Sequence, residues 1–340
     1  MTVVREYSRG VGERGEKPLV LRVHGLKKHF PIRGGVFSRI TGYVHAVDGV
    51  SFDLPVGETL GFVGESGCGK STVGKTVLRL LLPTAGSVEI GGRDVTTLSE
   101  HALRPLRRKM QMVFQDPYSS LNPRMTVGSI VAEPLVTHGI AGGRELTDRV
   151  ATLFAKVGLR PEQMTGYPHQ FSGGQRQRVA IARALAVEPD LIVCDEPVSA
   201  LDISIQAQII NLMMDLQDDL GLSYLFISHD LAVVELIADR IAVMYLGSIA
   251  EIGAKEDVMR NPRHPYTKAL LSAVPLPDPK RKNRAQIVLN GDVPSPSNPP
   301  SGCRFHSRCH LAQERCRVEA PELKSGAGGH AVACHFRDIN

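Results

Sequence analysis

An α/β fold with a largely parallel sheet is what the 340-residue sequence predicts. The runs Leu60-Gly61-Phe62-Val63, Leu191-Ile192-Val193-Cys194-Asp195 and Tyr224-Leu225-Phe226-Ile227-Ser228 read as buried strands. Segments of helical periodicity separate them, and strands alternating with helices imply parallel pairing. Each run also ends at a chemically loaded position: Gly64 follows the first, Asp195 closes the second and His229 follows the third. Ligands of such sheets bind at the carboxyl ends of the strands, so three distant regions are expected to meet at one edge.

The first strand end is the most specific. Gly64-Glu65-Ser66-Gly67-Cys68-Gly69-Lys70-Ser71 matches G-x-x-x-x-G-K-[ST] at every fixed position. A helix is expected over 72–81, so backbone N–H groups converge on a phosphate at a helix N-terminus. A chance glycine-rich turn would lack this strand–loop–helix setting. The stretch from Gly64 to Thr72 is therefore read as an ATP-binding loop. Lys70 would reach the β- and γ-phosphates, and the Ser71 hydroxyl would sit on Mg²⁺. At the second strand end, Asp195 can hold Mg²⁺ through water and Glu196 can polarise the attacking water. An acidic pair at a strand end is often a helix cap or a surface turn, and the phosphate loop upstream is what favours the catalytic reading.

Composition sets the frame. The length accommodates one large α/β unit and an appendage, and 42% hydrophobic residues supply a core. Net charge is +5, without a long basic run. Lys27-Lys28, Arg107-Arg108-Lys109 and Lys280-Arg281-Lys282 read as solvated faces. No signal peptide and no apolar stretch of bilayer length is apparent, so a chain that is soluble, or membrane-bound only through a partner, is expected. ATP use then points to the cytoplasm, where six cysteines would not form disulfides.

In chain order, residues 1–18 read as a mobile tail and Leu19–Val23 as a first strand. A glycine-rich insertion at 33–42 precedes strand-like runs at 44–47 and 50–54. Ser87–Ile90 runs into a tight turn at Gly91-Gly92. From about 98 to 184 the pattern is helices and polar loops with little strand signal. Ile205, Ile209, Leu212, Met213, Leu216 and Leu220 form one apolar stripe, read as core packing.

Phe171-Ser172-Gly173-Gly174-Gln175-Arg176-Gln177-Arg178 places a second anion-receiving turn at a helix start. One nucleotide does not need two phosphate cradles in one subunit. The segment resembles the L-S-G-G-Q signature of ATP-binding cassette (ABC) proteins, with Phe171 in place of the leucine. The resemblance implies that two cassettes face head to tail, with Ser172, Gly173, Gly174 and Gln175 covering the ATP held by the partner. It likewise makes Gln115 the Q-loop glutamine, Ser199-Ala200-Leu201-Asp202 the D-loop and His229 the switch histidine. The implied catalytic set is Glu196, His229 and Gln115, and the implied Mg²⁺ set is Ser71, Gln115 and Asp195. For the adenine, Phe30 matches the usual aromatic position, with Tyr43 as competitor. The fold implied is an ABC ATPase core over 19–260, comprising a parallel sheet, an antiparallel β subdomain and a helical subdomain at about 98–184.

Longer stretches resemble the oligopeptide and dipeptide importer ATPases, closer to the F-type subunit than to its D-type partner. They are Gln111–Pro123, Glu196–Gln208 and His264-Pro265-Tyr266-Thr267-Lys268-Ala269-Leu270-Leu271. This implies a second, non-identical cassette ATPase, two membrane permeases, an extracytoplasmic peptide-binding protein acting indirectly, and a peripheral place on the cytoplasmic face of the membrane. The region from Gln115 to Gly166 would form the socket for a permease coupling helix. Nickel, glutathione and antimicrobial-peptide importers use similar ATPases. A soluble cassette protein acting on nucleic acid or ribosomes is the rival. Such proteins often carry two fused cassettes or a coiled-coil insertion, and neither pattern is present. No nucleic-acid partner is expected.

Residues 261–340 form a compositionally distinct extension, with proline-rich connections at 275–279 and 294–300. It holds Cys303, Cys309, Cys316 and Cys334, while Cys68 and Cys194 read as small packing residues. Four thiolates can hold zinc or an iron–sulfur cluster. Their separations are wider than common zinc knuckles, and free thiols remain an alternative. Similarity to importer ATPases with such tails implies a [4Fe–4S] cluster, although His306, His310, His330 and His335 could replace a ligand.

Overall fold

The computed structural model describes residues 17–34, 37–116, 120–273, 287–289 and 291–336. The expectations for the N-terminal tail up to residue 16, for Pro117-Tyr118-Ser119, for Pro275–Pro279 and for Lys280-Arg281-Lys282 lie outside the described residues.

Strands β1 (Leu19–Gly34) and β2 (Arg39–Pro55) are much longer than the sequence suggests. The glycine-rich stretch read as an insertion supplies the end of β1 and the start of β2, and the runs at 44–47 and 50–54 are one strand. Gly42 and Gly49 interrupt the apolar pattern without interrupting the ladder, because strand glycines weaken packing rather than pairing. Then follow β3 (Thr59–Val63), α1 (Lys70–Val77), β4 (Ala85–Ile90) and β5 (Arg93–Asp94). The expected turn at Gly91-Gly92 joins β4 to β5, with Ile90 opposite Arg93. Helix α1 stops short of Leu81. Arg79 takes a positive φ of 54°, and the N–H groups of Leu80 and Leu81 both bond Lys75 O, at 2.9 and 3.2 Å, so a left-handed cap closes the helix there.

The middle of the chain holds α2 (Glu100–Leu103), β6 (Met110–Val113), α3 (Val127–Thr137), α4 (Gly143–Lys156) and α5 (Gly173–Leu185). Within the stretch expected to be helices and polar loops with little strand signal, β6 is a short strand. Next come β7 (Leu191–Asp195), α6 (Ile203–Leu220), β8 (Ser223–Ile227), α7 (Leu231–Ile237), β9 (Arg240–Tyr245) and β10 (Ser248–Ala254). The described chain ends with α8 (Lys255–Arg260), α9 (Pro265–Ala273), α10 (Glu314–Val318), β11 (Lys324–Ser325) and β12 (Ala331–Val332).

Packing divides the chain into two discontinuous units. One comprises residues 1–21, 54–58 and 97–226. In it β6 and β7 pair in parallel, Met110 opposite Leu191 through Val113 opposite Cys194. Every residue of β7 is buried. The α6 stripe is core at its centre, where Ile209, Met213 and Leu216 are buried, whereas Leu220 is exposed at the helix end. Tyr224 Oη donates to Met213 O at 3.1 Å and Gln217 Nε2 to Gly57 O at 3.1 Å, which fixes the rotation of α6.

The other unit comprises residues 22–53, 59–96 and 227–340. Its strands run in the order β11-β12-β10-β9-β3. Only β3 and β9 are parallel there; β10, β12 and β11 add antiparallel ladders. Strands β2, β1, β4 and β5 form a separate four-stranded sheet.

The quoted stretch His264–Leu271 has a structural explanation. Buried His264 caps α9, its Nδ1 accepting the Tyr266 N–H at 3.0 Å, and Pro265 opens the helix. Burial pushes the imidazole down to about 4, a hydrogen bond with the Ala333 backbone opposing the shift. The unfolded chain takes up this proton near pH 6.5 and the folded chain only near pH 4. Stability is therefore full above pH 6.5 and declines towards about pH 4, by on the order of 3 kcal/mol. Denaturation series across that window are expected to show this slope, and His264→Asn should flatten it.

Candidate nucleotide site

The phosphate loop follows β3 directly, and its glycines are there for space. Gly69 has φ 107° and a Cβ would lie 2.0 Å from Ala46 O; Gly64 has φ 152° and a Cβ would lie 2.2 Å from Met244 O. The loop is thus pressed between β2 and β9 with its backbone turned into a cradle. Lys70, at the start of α1, is buried and donates to Gly64 O at 2.7 Å and Glu65 O at 3.0 Å. Cys68 is buried beside it, and burial raises its thiol while the Lys70 charge opposes the rise. His229 belongs to the same unit. Ser228 N–H donates to Phe62 O at 3.0 Å, which sets the end of β8 beside the end of β3. His229 itself is exposed, and Asp230 caps α7 through Ala232 N–H at 2.8 Å.

Asp195 and Glu196 lie in the other unit, at the end of β7, and Gln115 follows β6. Parallel pairing of these strands brings the two ends together: Gln115 Nε2 donates to Glu196 Oε2 at 2.9 Å. Asp195 is buried, Glu196 is half-buried, and Glu196 adopts a positive φ of 48°. Its carbonyl accepts from Ser199 Oγ at 3.1 Å and Ser199 N at 3.3 Å, so the D-loop turn pins the backbone of this glutamate. Gln206 Nε2 holds that turn from α6, donating to Val198 O at 3.1 Å and Leu201 O at 3.0 Å.

Ser172 opens α5 with a reciprocal cap. Its Oγ accepts the Gln175 N–H at 3.3 Å, and Gln175 Oε1 accepts the Ser172 N–H at 3.0 Å. Phe171 is buried, whereas Ser172 and Gly173 are exposed. A Cβ on Gly173 would lie 3.1 Å from Leu201 Cδ2, and one on Gly174 2.6 Å from Ile205 Cγ2. The signature turn therefore packs on the D-loop and the start of α6 of its own chain. Of the two aromatic candidates, Phe30 on β1 carries Lys28 Nζ 4.9 Å over its ring. Tyr43 is exposed on β2, three residues from the Ala46 carbonyl that abuts Gly69.

In the C-terminal extension, Cys303, Cys309, Cys316 and Cys334 line one small cavity with His264, Phe305, His306 and His335. Burial pushes Cys303 up to about 11, against a backbone hydrogen bond at Phe305, and the three other cysteines add to the rise. The tightest ligand cluster among the described residues is a different one. His29, His45 and Asp48 have ligand atoms all within 4.8 Å of one another, and the cysteines form no such group. Asp48 already binds Lys27 at 3.2 Å and Arg304, so two cations oppose a divalent ion there.

Two family models match: "ABC transporter" over residues 47–199 and "Oligopeptide/dipeptide transporter, C-terminal region" over residues 250–316. The chain is 56% identical over 319 residues to the oligopeptide transport ATP-binding protein AppF of Bacillus subtilis, covering 93% of this chain and 97% of that protein. It belongs to the ATP-binding subunits of oligopeptide and dipeptide ABC transporters. Identity to the dipeptide transport ATP-binding protein DppF of Haemophilus influenzae is 51% over 323 residues, covering 95% and 98% of the two chains. Among solved structures, the ATP-binding cassette MJ0796 bound to ADP and Pi matches with a TM-score of 0.62 and 30% identity. That match covers 69% of this chain and 98% of MJ0796. CbiO1 of Clostridium perfringens matches with a TM-score of 0.62 and 26% identity over 72% and 92% of the two chains.

In this ABC ATPase Gly64 follows β3, Asp195 ends β7, Ser172 opens α5 and His229 lies just beyond β8. Three contacts escaped sequence reasoning: Tyr266 Oη accepting the Glu65 N–H at 2.9 Å, the Gln206 hold on the D-loop, and Arg308 on Glu65. The run His264-Pro265-Tyr266 was the one available signal for the first, since Pro265 marks the start of α9 without revealing its target. No described helix is long and apolar enough to cross a membrane.

Proposed function

We propose that this ATPase energises peptide import, working as one of two cassettes on a pair of permeases at the cytoplasmic face of the membrane. The observation that carries the reading is that one chain joins a complete phosphate loop to an oligopeptide/dipeptide transporter C-terminal region. In this reading residues 19–260 are the nucleotide-binding domain and 261–340 the importer-type extension. Gly64 to Thr72 wrap the triphosphate, with Phe30 or Tyr43 against the adenine. Ser71, Gln115 and Asp195 would hold Mg²⁺, which would supply positive charge against the phosphates. Glu196 takes the proton of the attacking water, oriented by Gln115, and His229 faces the γ-phosphate. Ser172, Gly173, Gly174 and Gln175 serve the ATP of the partner cassette, and Ser199–Asp202 are the D-loop. The exposure of Ser172 and Gly173 at a capped helix start supports the first role, as does the dimeric state of the MJ0796 structure. The segment from Gln115 to Gly166 would receive the permease coupling helix.

Cys303, Cys309, Cys316 and Cys334 line one cavity, which supports a shared ligand for the four thiols. Cys303, Cys309, Cys316 and Cys334 would hold a [4Fe–4S] cluster, whose contribution is to cross-link the extension. Anaerobically isolated protein should contain about four iron and four sulfide per chain; zinc, or neither metal nor sulfide, would exclude the cluster.

The tagged chain, isolated from its own cells in mild detergent, is expected to bring down two permeases and a second cassette ATPase. Recovery of ribosomal or DNA-repair proteins without a membrane partner would leave the ATPase standing and overturn the transport reading.

A further inference from the structure

The phosphate loop carries a negative charge of its own. Glu65 is its second residue, and a carboxylate there repels the polyanion the loop is built to receive. The charge is cancelled from the far end of the chain. Arg308 Nη1 donates to Glu65 Oε2 at 2.8 Å and Nη2 to Oε1 at 3.1 Å, a two-pronged guanidinium–carboxylate pair. The Arg308 side chain is only 8% exposed and Glu65 27%, so water screens the pair weakly. Other contacts keep the guanidinium in place. Its Cζ lies 5.9 Å from the Tyr245 ring centre, and Tyr245, Tyr266 and Phe305 pack ring against ring with centroids 4.7–5.4 Å apart.

The same residue of the loop is held twice more. Glu65 N–H donates to Tyr266 Oη, and Glu65 O accepts from Lys70 Nζ. Arg308 sits on the short turn between two cavity cysteines. His306 N–H bonds Cys303 O at 3.0 Å, and Cys309 N–H bonds His306 O at 3.3 Å.

We propose that Arg308 is a positioning residue for nucleotide binding, through which the C-terminal extension neutralises and orients Glu65 in the phosphate loop. This rests on the reading of that loop as the ATP site. The extension is then part of the nucleotide site, and not an ornament beside it.

The test is equilibrium binding of Mg-ATP to the full-length chain and its variants, with the KM for ATP and kcat read alongside. Arg308→Gln leaves the Glu65 charge uncancelled and should weaken binding about tenfold, a change of about 1.4 kcal/mol. KM should rise with kcat little changed. Arg308→Lys keeps the charge and should bind within about threefold of the parent, a difference under 1 kcal/mol. Adding Glu65→Gln to Arg308→Gln removes the repulsion and should restore most of the affinity. The proposal is overturned if Arg308→Gln binds ATP like the parent, or if the double variant stays as weak as Arg308→Gln. A parent chain that binds no ATP would instead overturn the reading of the loop itself.

Discussion

Glu196→Gln should bind Mg-ATP as the parent does and hydrolyse it about 10²–10⁴-fold more slowly, the usual worth of a general base, or roughly 3–5 kcal/mol of barrier. The substitution keeps the side chain's shape and one acceptor oxygen. The Gln115 contact at 2.9 Å and the Ser199 bonds to the Glu196 carbonyl can therefore persist. What it removes is the capacity to take a proton. The positive φ of Glu196 aims the side chain from the end of a fully buried strand, which is the sort of local strain a functional position retains. Single-turnover hydrolysis beside nucleotide affinity separates the two effects. Parent-like turnover would move the base elsewhere.

The largest stability effect is expected at Glu251, which the nucleotide chemistry does not use. This β10 carboxylate is fully buried and accepts three hydrogen bonds: Arg263 N–H at 2.8 Å, His264 N–H at 3.0 Å and His330 Nε2 at 2.7 Å. It thereby ties β10 to the start of α9 and to the segment leading into β12. Glu251→Ala strands three buried polar groups at once, and breaking a buried pair from one side costs about 3–5 kcal/mol. The Tm should fall by roughly 4–7 °C, at about 0.7 kcal/mol per degree for a chain of this length, and the extension beyond β10 should become sensitive to protease first. A Tm within about 1 °C of the parent, the shift of a change under about 1 kcal/mol, would contradict this.

The sequence was most legible where strands end in unusual residues. The buried runs before Gly64, Asp195 and His229 are strands, and each residue stands where its strand stops. What could not be read has physical causes. Strand β6 is four residues, Met-Gln-Met-Val, too short to show a period and flanked by a basic cluster. Glycines that the ladder tolerates mask the full length of β1 and β2 in the sequence pattern. The described basic clusters lie on the surface as read, with Lys28 donating to Leu82 O and Lys109 pairing with Asp190 at 54% exposure each. The Arg308–Glu65 pair joins residues 243 apart, and no local pattern announces such a contact. The pairing of β10 with β12, Glu251 opposite Val332, likewise depends on chain return over a long separation, which periodicity does not encode.

Uptake of a radiolabelled oligopeptide by the native cells tests the central claim most directly, comparing the parent, a strain lacking this chain, and that strain carrying either the intact chain or Glu196→Gln. Loss of uptake on deletion, recovery with the intact chain and no recovery with Glu196→Gln is the expected result. Peptide uptake that survives deletion unchanged, while another solute's uptake fails, would contradict the assignment to peptide import.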